Sequence, residues 1–251
     1  MIRVEALSKV RIDGEWLGRK LEFFRGRGGQ GWFSLAGVDV EGPVGFSSLR
    51  ITVHESSGAM CDLSRMVEIH ATHYRTSSLS VASKFVELSP EEMKRVDAET
   101  QLKAKLFDAG APQPLWTGNT RAPVNAAPTD SFGTRRMFNG KLASIHKGMD
   151  FHAQNGTPVR AGNSGAVVLA QSLYYEGNCV IIDHGLGLFT ISMHLSRIYV
   201  RESQRVARGQ RLKLSGATGR VTGPDPRWAV RWQGAFLDPA KLLQMDLNAI
   251  R

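Results

Sequence analysis

Apolar and polar positions alternate in short runs along much of this chain. In Leu49-Arg50-Ile51-Thr52-Val53 and Val67-Glu68-Ile69-His70-Ala71 every second residue is apolar, the period of a strand with one buried face. Gly, Ser and Pro punctuate such runs, and residues 1–88 read as an antiparallel, β-sandwich-like domain. The period changes at Ser89. Ser89-Pro90-Glu91-Glu92 supplies an N-cap, a first-turn proline and a capping-box glutamate, and Met93, Val96, Leu102 and Leu106 follow at roughly helical spacing up to Gly110. Pro112, Pro114, Pro123 and Pro128 then oppose regular structure across most of Ala111 to Thr129. Residues 89–130 are therefore expected to be a connecting helix and an extended linker. From Ser131 short strands return, among them Gly165-Ala166-Val167-Val168-Leu169 and Cys179-Val180-Ile181-Ile182-Asp183, separated by glycine turns. Residues 131–245 read as a second, antiparallel β domain, and the fold class expected for the whole chain is mainly β.

Composition narrows the function. With 251 residues and 42% apolar content the chain can build two cores. No apolar run approaches the roughly 18 residues of a membrane helix, so no membrane span is expected. Met1 to Leu7 also lacks the basic head and apolar run of a secretory signal. Lys and Arg outnumber Asp and Glu by nine, which favours polyanionic surroundings such as nucleic acid, acidic lipid or wall polymer. The basic residues are scattered, and no helix-turn-helix, zinc-finger or aromatic RNA-binding pattern accompanies them, so nucleic acid is not an expected partner. Cys61 and Cys179 fall in different halves of the chain and read as two unpaired thiols. Gly26 to Gly31 matches a dinucleotide-type glycine pattern, but Trp32-Phe33-Ser34-Leu35 follows it where a helix would be needed, which favours a hairpin loop.

His146-Lys147-Gly148-Met149-Asp150-Phe151 carries the first candidate chemistry. If the glycine lets the chain bend, the histidine and aspartate can offer one imidazole nitrogen and one carboxylate oxygen to a single zinc ion. Taken alone, the spacing fits a solvated surface pair equally well. Its neighbours add to it: Ser131-Phe132-Gly133-Thr134-Arg135-Arg136 and Asn139-Gly140-Lys141 come before, and Gly156-Thr157-Pro158-Val159, Gly165-Ala166-Val167-Val168 and Gly177 to Gly187 come after. Met193-His194-Leu195-Ser196, Gly209-Gln210, Gly216 to Pro224 and Leu237-Asp238-Pro239 complete the series. In order and spacing these blocks resemble the lysostaphin-type (LytM-like) zinc metallopeptidases of bacterial cell walls. The N-terminal strands, Phe85-Val86-Glu87-Leu88, the capped helix and the Pro-rich linker look like the module that precedes the peptidase domain in some bacterial members.

This resemblance implies a C-terminal peptidase-like domain with a groove, acting on peptide cross-links of peptidoglycan in the periplasm or at the cell surface. It also implies zinc, held by the residues corresponding to His146, Asp150 and Arg227. The residues expected to polarise the metal-bound water correspond to His194 and Asp225, and Arg135 and Asn139 are expected to contribute to binding. The departure is plain: where the family has Gly-Pro-His-x-His, this chain reads Gly223-Pro224-Asp225-Pro226-Arg227. A guanidinium is protonated at any relevant pH and has donors only, so Arg227 brings a positive charge and no lone pair to a metal position. Zinc binding is therefore expected to be weak or absent. Arg227 is expected to pair with Asp150, with Asp225 as a second acceptor.

Three functional readings follow. The chain is a degenerate peptidase serving as a wall-binding or regulatory module, or an active zinc endopeptidase with Asp225 or a rearranged histidine as third ligand, or a general polyanion-binding protein. Of the other histidines, His184 in its Asp-His-Gly turn reads as structural, and His54, His70, His73 and His152 as ordinary surface or half-buried residues.

Overall fold

The structure, a computed structural model, describes residues 1–6, 10–26, 29, 31–79, 88–138, 141–221 and 225–248. The first part contains β1 (Ile2–Val4), β2 (Val10–Trp16), β3 (Arg19–Leu21), β4 (Phe24–Arg25), β5 (Trp32–Ser34), β6 (Gly45–Glu55), β7 (Met60–Ile69) and β8 (Thr76–Leu79). Four of these form an antiparallel sheet in the order β3-β2-β6-β7, and a smaller sheet has the order β1-β5-β4. The alternation in β6 does what its pattern implies: Leu49, Ile51 and Val53 turn inward onto Val4, Ile12, Trp16 and Leu21. β4 and β5 pair antiparallel, and the Gly26 N–H donates to the Gly31 carbonyl across the glycine-rich stretch, which is thus a hairpin connection. Residues 27, 28 and 30 of that stretch lie outside the described residues.

Helix α1 (Pro90–Asp108) starts where its cap requires. The Ser89 hydroxyl accepts from the Glu92 N–H and the Glu92 carboxylate accepts from the Ser89 N–H, a complete capping box. None of its side chains is fully buried. Leu106 and Phe107 at its C-terminal end pack on the core cluster of Leu169, Ile181 and Phe189, Phe107 edge-on to Phe189 at 5.1 Å. The Pro-rich stretch after it has no helix or strand before β9 (Pro128–Asp130), yet it is no free spacer. Trp116 and Val124 are buried in a core cluster that also takes in Phe24, Phe33 and Leu35 of the first part, with the Trp116 ring 5.9 Å from Trp232 and 5.6 Å from Phe24. An indole of that size removed from water contributes about 2–3 kcal/mol toward holding the stretch down.

The remaining elements are β10 (Arg135–Phe138), β11 (Lys141–Ile145), β12 (Met149–Phe151), β13 (Pro158–Arg160), β14 (Gly165–Leu173), β15 (Gly177–Asp183), β16 (Leu188–Ile198), β17 (Arg205–Val206), β18 (Arg211–Ser215), β19 (Arg227–Trp232), β20 (Ala235–Leu237) and α2 (Pro239–Gln244). A ten-stranded sheet runs β17-β14-β15-β16-β19-β12-β9, with β18 beside β16 and β13, and β20 beside β19. The uninterrupted apolar run of β15 is explained by burial on both faces: Val180 and Ile182 join one core, Cys179 and Ile181 the other. Parallel pairing of β8 with β10 ties the first part of the chain to the strands that follow the Pro-rich stretch. The protein is mainly β, as its alternation implies, and neither cysteine is bridged, Cys61 being exposed and Cys179 buried.

Candidate functional site

Strand register assembles the site. β12 lies between β9 and β19, with Asp150 opposite Asp130 on one side and opposite Arg227 on the other. Residues directly opposite one another share a face of the sheet, so these three side chains form one row. The next strand, β16, places Met193 opposite Arg227, and His194 follows it. His146 sits just before β12, and Gly148 permits the approach of β12 to β19, because a Cβ there would lie 2.9 Å from the Trp228 carbonyl oxygen.

The row is held by guanidinium–carboxylate pairs. Arg227 grips Asp150 with two hydrogen bonds, Nε to Oδ1 at 2.8 Å and Nη2 to Oδ2 at 3.2 Å. Arg136 Nη2 donates to Asp130 Oδ2 at 2.8 Å and to Asp150 Oδ2 at 3.3 Å, so Asp150 is shared between two arginines. Asp130 also accepts from the Thr134 hydroxyl at 2.7 Å and from the Ser131 N–H at 2.9 Å. Burial works to raise the Asp130 pKa, but the hydrogen bonds from Arg136 and Thr134 outweigh it and hold the carboxyl below its usual value.

Two buried imidazoles face this row. His146 has a fully buried side chain, Nε2 lying 3.6 Å from Asp150 Oδ1 and Nδ1 3.9 Å from Asp130 Oδ2, beyond hydrogen-bonding reach. Neither of its nitrogens has a hydrogen-bond partner among the described residues. His194 Nδ1 lies 3.0 Å from the Thr218 carbonyl, which identifies it as the protonated nitrogen, and its buried Nε2 has no partner among the described residues. Burial depresses both pKa values to about 4; Asp150 opposes this at His146, and the Arg227 cation reinforces it at both. Both rings are therefore neutral at pH 7.

The two expected binding residues fare differently from Arg136. Arg135 is exposed, and its backbone N–H donates to the Arg75 carbonyl at 2.8 Å; neighbouring side chains of a strand point to opposite faces, so Arg136 turns inward instead. Asn139 lies outside the described residues. Asp225 stands half-buried before β19, and the buried Pro226 accepts the Phe151 N–H through its carbonyl at 3.2 Å. The second ionic partner expected at Asp225 is not found: among the described residues the guanidinium hydrogen bonds of Arg227 go to Asp150, and the second arginine at that carboxylate is Arg136. His184 is buried between the Ser164 carbonyl at 2.7 Å and the Thr190 hydroxyl at 2.8 Å, a structural role, while His54 pairs with Asp13 at 2.8 Å and His70, His73 and His152 are exposed. Asp130 and Arg136 are site residues that sequence reasoning did not single out. The alternation of β10 limits the choice to one arginine of an adjacent pair, but only the pairing of β9 with β12 brings in Asp130.

One ligand atom each from Asp130, His146 and Asp150 lie within 4.8 Å of one another, so three metal-donor groups converge. A catalytic zinc needs three lone-pair donors and an open fourth position. Here both carboxylates are engaged by guanidinium groups, and a dication among them would stand beside two fixed cations. As arranged, the residues do not fit a zinc ion.

Comparison with known proteins agrees with the fold. Residues 144–239 match the family described as Peptidase family M23. The chain is 45% identical over 97 residues to a peptidoglycan DD-endopeptidase of Vibrio cholerae, ShyA, a stretch covering 38% of this chain and 23% of that protein. A second Vibrio cholerae peptidoglycan DD-endopeptidase, ShyB, is 38% identical over 126 residues, covering 48% of this chain and 29% of its own length. The chain thus spans less than a third of these curated relatives. Over nearly its full length it is similar to a crystal structure from Pseudomonas aeruginosa assigned to peptidase M23, with a TM-score of 0.73 at 25% identity, covering 92% of this chain and 87% of the other. Over residues 144–239 the chain thus matches peptidase family M23, in keeping with the lysostaphin-type, LytM-like resemblance of its sequence blocks.

Proposed function

We propose that this protein is a peptidoglycan-directed module of the family in which zinc-dependent hydrolysis is impaired or lost, and that it acts by binding wall peptides or by regulation. One observation carries the reading: Arg227, which the sequence resemblance aligns with a zinc ligand, holds both oxygens of Asp150 through its Nε and Nη2. An ion pair fills the charge balance that a metal would otherwise supply. A surface shaped for a peptide does not depend on the metal for its shape, so binding can outlast hydrolysis. The names of the similar proteins support peptidoglycan as the partner, and with it a periplasmic or surface location.

Two measurements test this reading. Purified protein dialysed against a mild chelator should hold far less than one zinc per chain, and it should be retained on insoluble cell wall without releasing cross-linked peptides. Near-stoichiometric zinc, or steady release of peptides, would reject it. Retention on heparin but not on wall would favour a general polyanion binder. The convergence of Asp130 with His146 and Asp150 favours a second reading, an active endopeptidase with Asp130 as non-standard third ligand in place of the expected Asp225. That reading requires both arginines to withdraw, and zinc retained by the wild type but lost from Asp130→Asn would establish it.

A further inference from the structure

His194 is held in a conformation that needs external support. It is a non-glycine residue with φ of 60° inside β16, where strand pairing is offset, and L residues enter that region at a cost of about 1 kcal/mol or more. Its backbone N–H donates to the Glu176 carbonyl at 2.8 Å, and its ring Nδ1 is engaged by the Thr218 carbonyl. Glu176 belongs to the turn between β14 and β15 and precedes Gly177, whose φ of 60° and close contact with Thr218 leave no room for a side chain. The backbone of one tight turn therefore supports one side of the site.

Helix α1 grips that same turn. Lys103 forms an ion pair with Glu176, in which both side chains are largely buried. Glu99 accepts the Tyr174 N–H at 2.7 Å, and the Tyr174 hydroxyl donates to Glu92 at 2.7 Å. Arg95 completes the contact by pairing with Glu99 at 2.8 Å and lying over the Tyr174 ring. Apart from Leu106 and Phe107, the helix is attached through charged and polar groups, and it has no buried side chain of its own. Such a helix adds little as a hydrophobic element, but it holds Tyr174 and Glu176, two residues of one three-residue turn. The Glu176 Oε2 atom is buried with no hydrogen-bond partner among the described residues, so Lys103 is the cation that compensates this carboxylate. Without it the carboxylate has reason to move toward water, taking its own backbone along.

We propose that Lys103 and Glu176 are positioning residues for His194: the helix that joins the two domains sets the placement of this imidazole through the turn it clamps. The chain of contacts is short, running from Lys103 to the Glu176 carboxylate, from the Glu176 carbonyl to the His194 N–H, and so to the ring beside Asp150 and Arg227. Whatever displaces α1, including movement of the N-terminal sheets that precede it, alters the site without touching it. The proposal rests on the reading of His194 as a site residue, but its test needs neither metal nor wall.

The experiment is carried out on the metal-free chain of 251 residues. Imidazole ring resonances of His194, assigned by comparison with His194→Gln, are followed in wild type, Lys103→Met, Lys103→Arg and Glu176→Gln. Amide hydrogen exchange at His194 is followed in the same four proteins. Lys103→Met and Glu176→Gln should shift the ring resonances and speed exchange of the amide bonded to Glu176, while Lys103→Arg, which keeps the ion pair, should restore wild-type behaviour. A helix that merely adds stability would lower the melting temperature and leave both signals in place in the folded state, and that outcome overturns the proposal. Should Lys103→Met fail to fold, Glu176→Gln, which preserves the size and carbonyl of the turn, decides alone. Unchanged His194 signals in it reject the idea whether or not the protein binds wall peptides.

Discussion

Lys213 provides the sharpest energetic test of this fold. It lies in β18 with no exposed surface, and its Nζ has no hydrogen-bond partner among the described residues. Burial pushes its pKa down from 10.5 to about 7, with only weak opposition from the neighbouring Cys179. That fall corresponds to about 5 kcal/mol of preference for the uncharged amine in the folded state. Relaxation and water penetration make the realised cost smaller, about 2–5 kcal/mol. The sign follows from proton counting. Between about pH 7 and 10.5 the unfolded chain holds a proton on this residue that the folded chain lacks, so stability rises with pH through that window. Lys213→Met keeps the length of the side chain and removes the charge, and it should stabilise the protein most at or below pH 7. For a chain of this size the melting temperature should rise by about 5–15 °C at pH 6, and the gap should shrink toward the packing difference alone as pH approaches 10.5. Thermal and urea unfolding of both proteins at pH 6, 8 and 10 measures this. A variant less stable than wild type at pH 6, or a gap that widens with pH, would refute the buried, uncompensated amine.

The other predictions concern the site and the thiols. Arg227→Leu should destabilise the fold by about 1–3 kcal/mol by depriving Asp150 of its bidentate partner, with Arg136 limiting the loss, and adding Asp150→Asn should recover part of it; strictly additive losses in urea unfolding would contradict the pairing. Replacing Asp225 and Arg227 with His and Pro226 with Leu should raise retained zinc toward one per chain and confer peptide release from wall; a triple variant that still binds no zinc would show that His146 and Asp150 no longer form a metal site. Cys61 is exposed, whereas Cys179 is fully buried with its pKa pushed up to about 12, so a thiol reagent should consume one equivalent in the native state and two after unfolding. Two fast equivalents in the native protein would mean that the β15 core opens readily.

Short-range chemistry is what the sequence by itself determined. Alternation marked β6 and its inward face, an apolar β-branched run marked β15 as a strand, and Ser89-Pro90-Glu91-Glu92 placed the start of α1 because a capping box involves only residues three apart. The donor-only, cationic character of Arg227, and its attraction to Asp150, were also legible, since charge and donor type are properties of the residue itself. Tertiary structure decided the rest. The Pro-rich stretch reads as a spacer until Trp116 finds its cavity between Phe24 and Trp232. Asp130 joins the site only through the pairing of β9 with β12, and Arg136 rather than Arg135 enters it because a strand's register selects alternate side chains. Partners 77 residues apart, such as Arg227 and Asp150, are brought together by strand pairing over the whole sheet, and so are the burial and neutrality of His146 and His194. Residue type sets what a side chain can do locally, but its dielectric surroundings and its opposite number depend on which strands lie beside it, and only the packed sheet settles that.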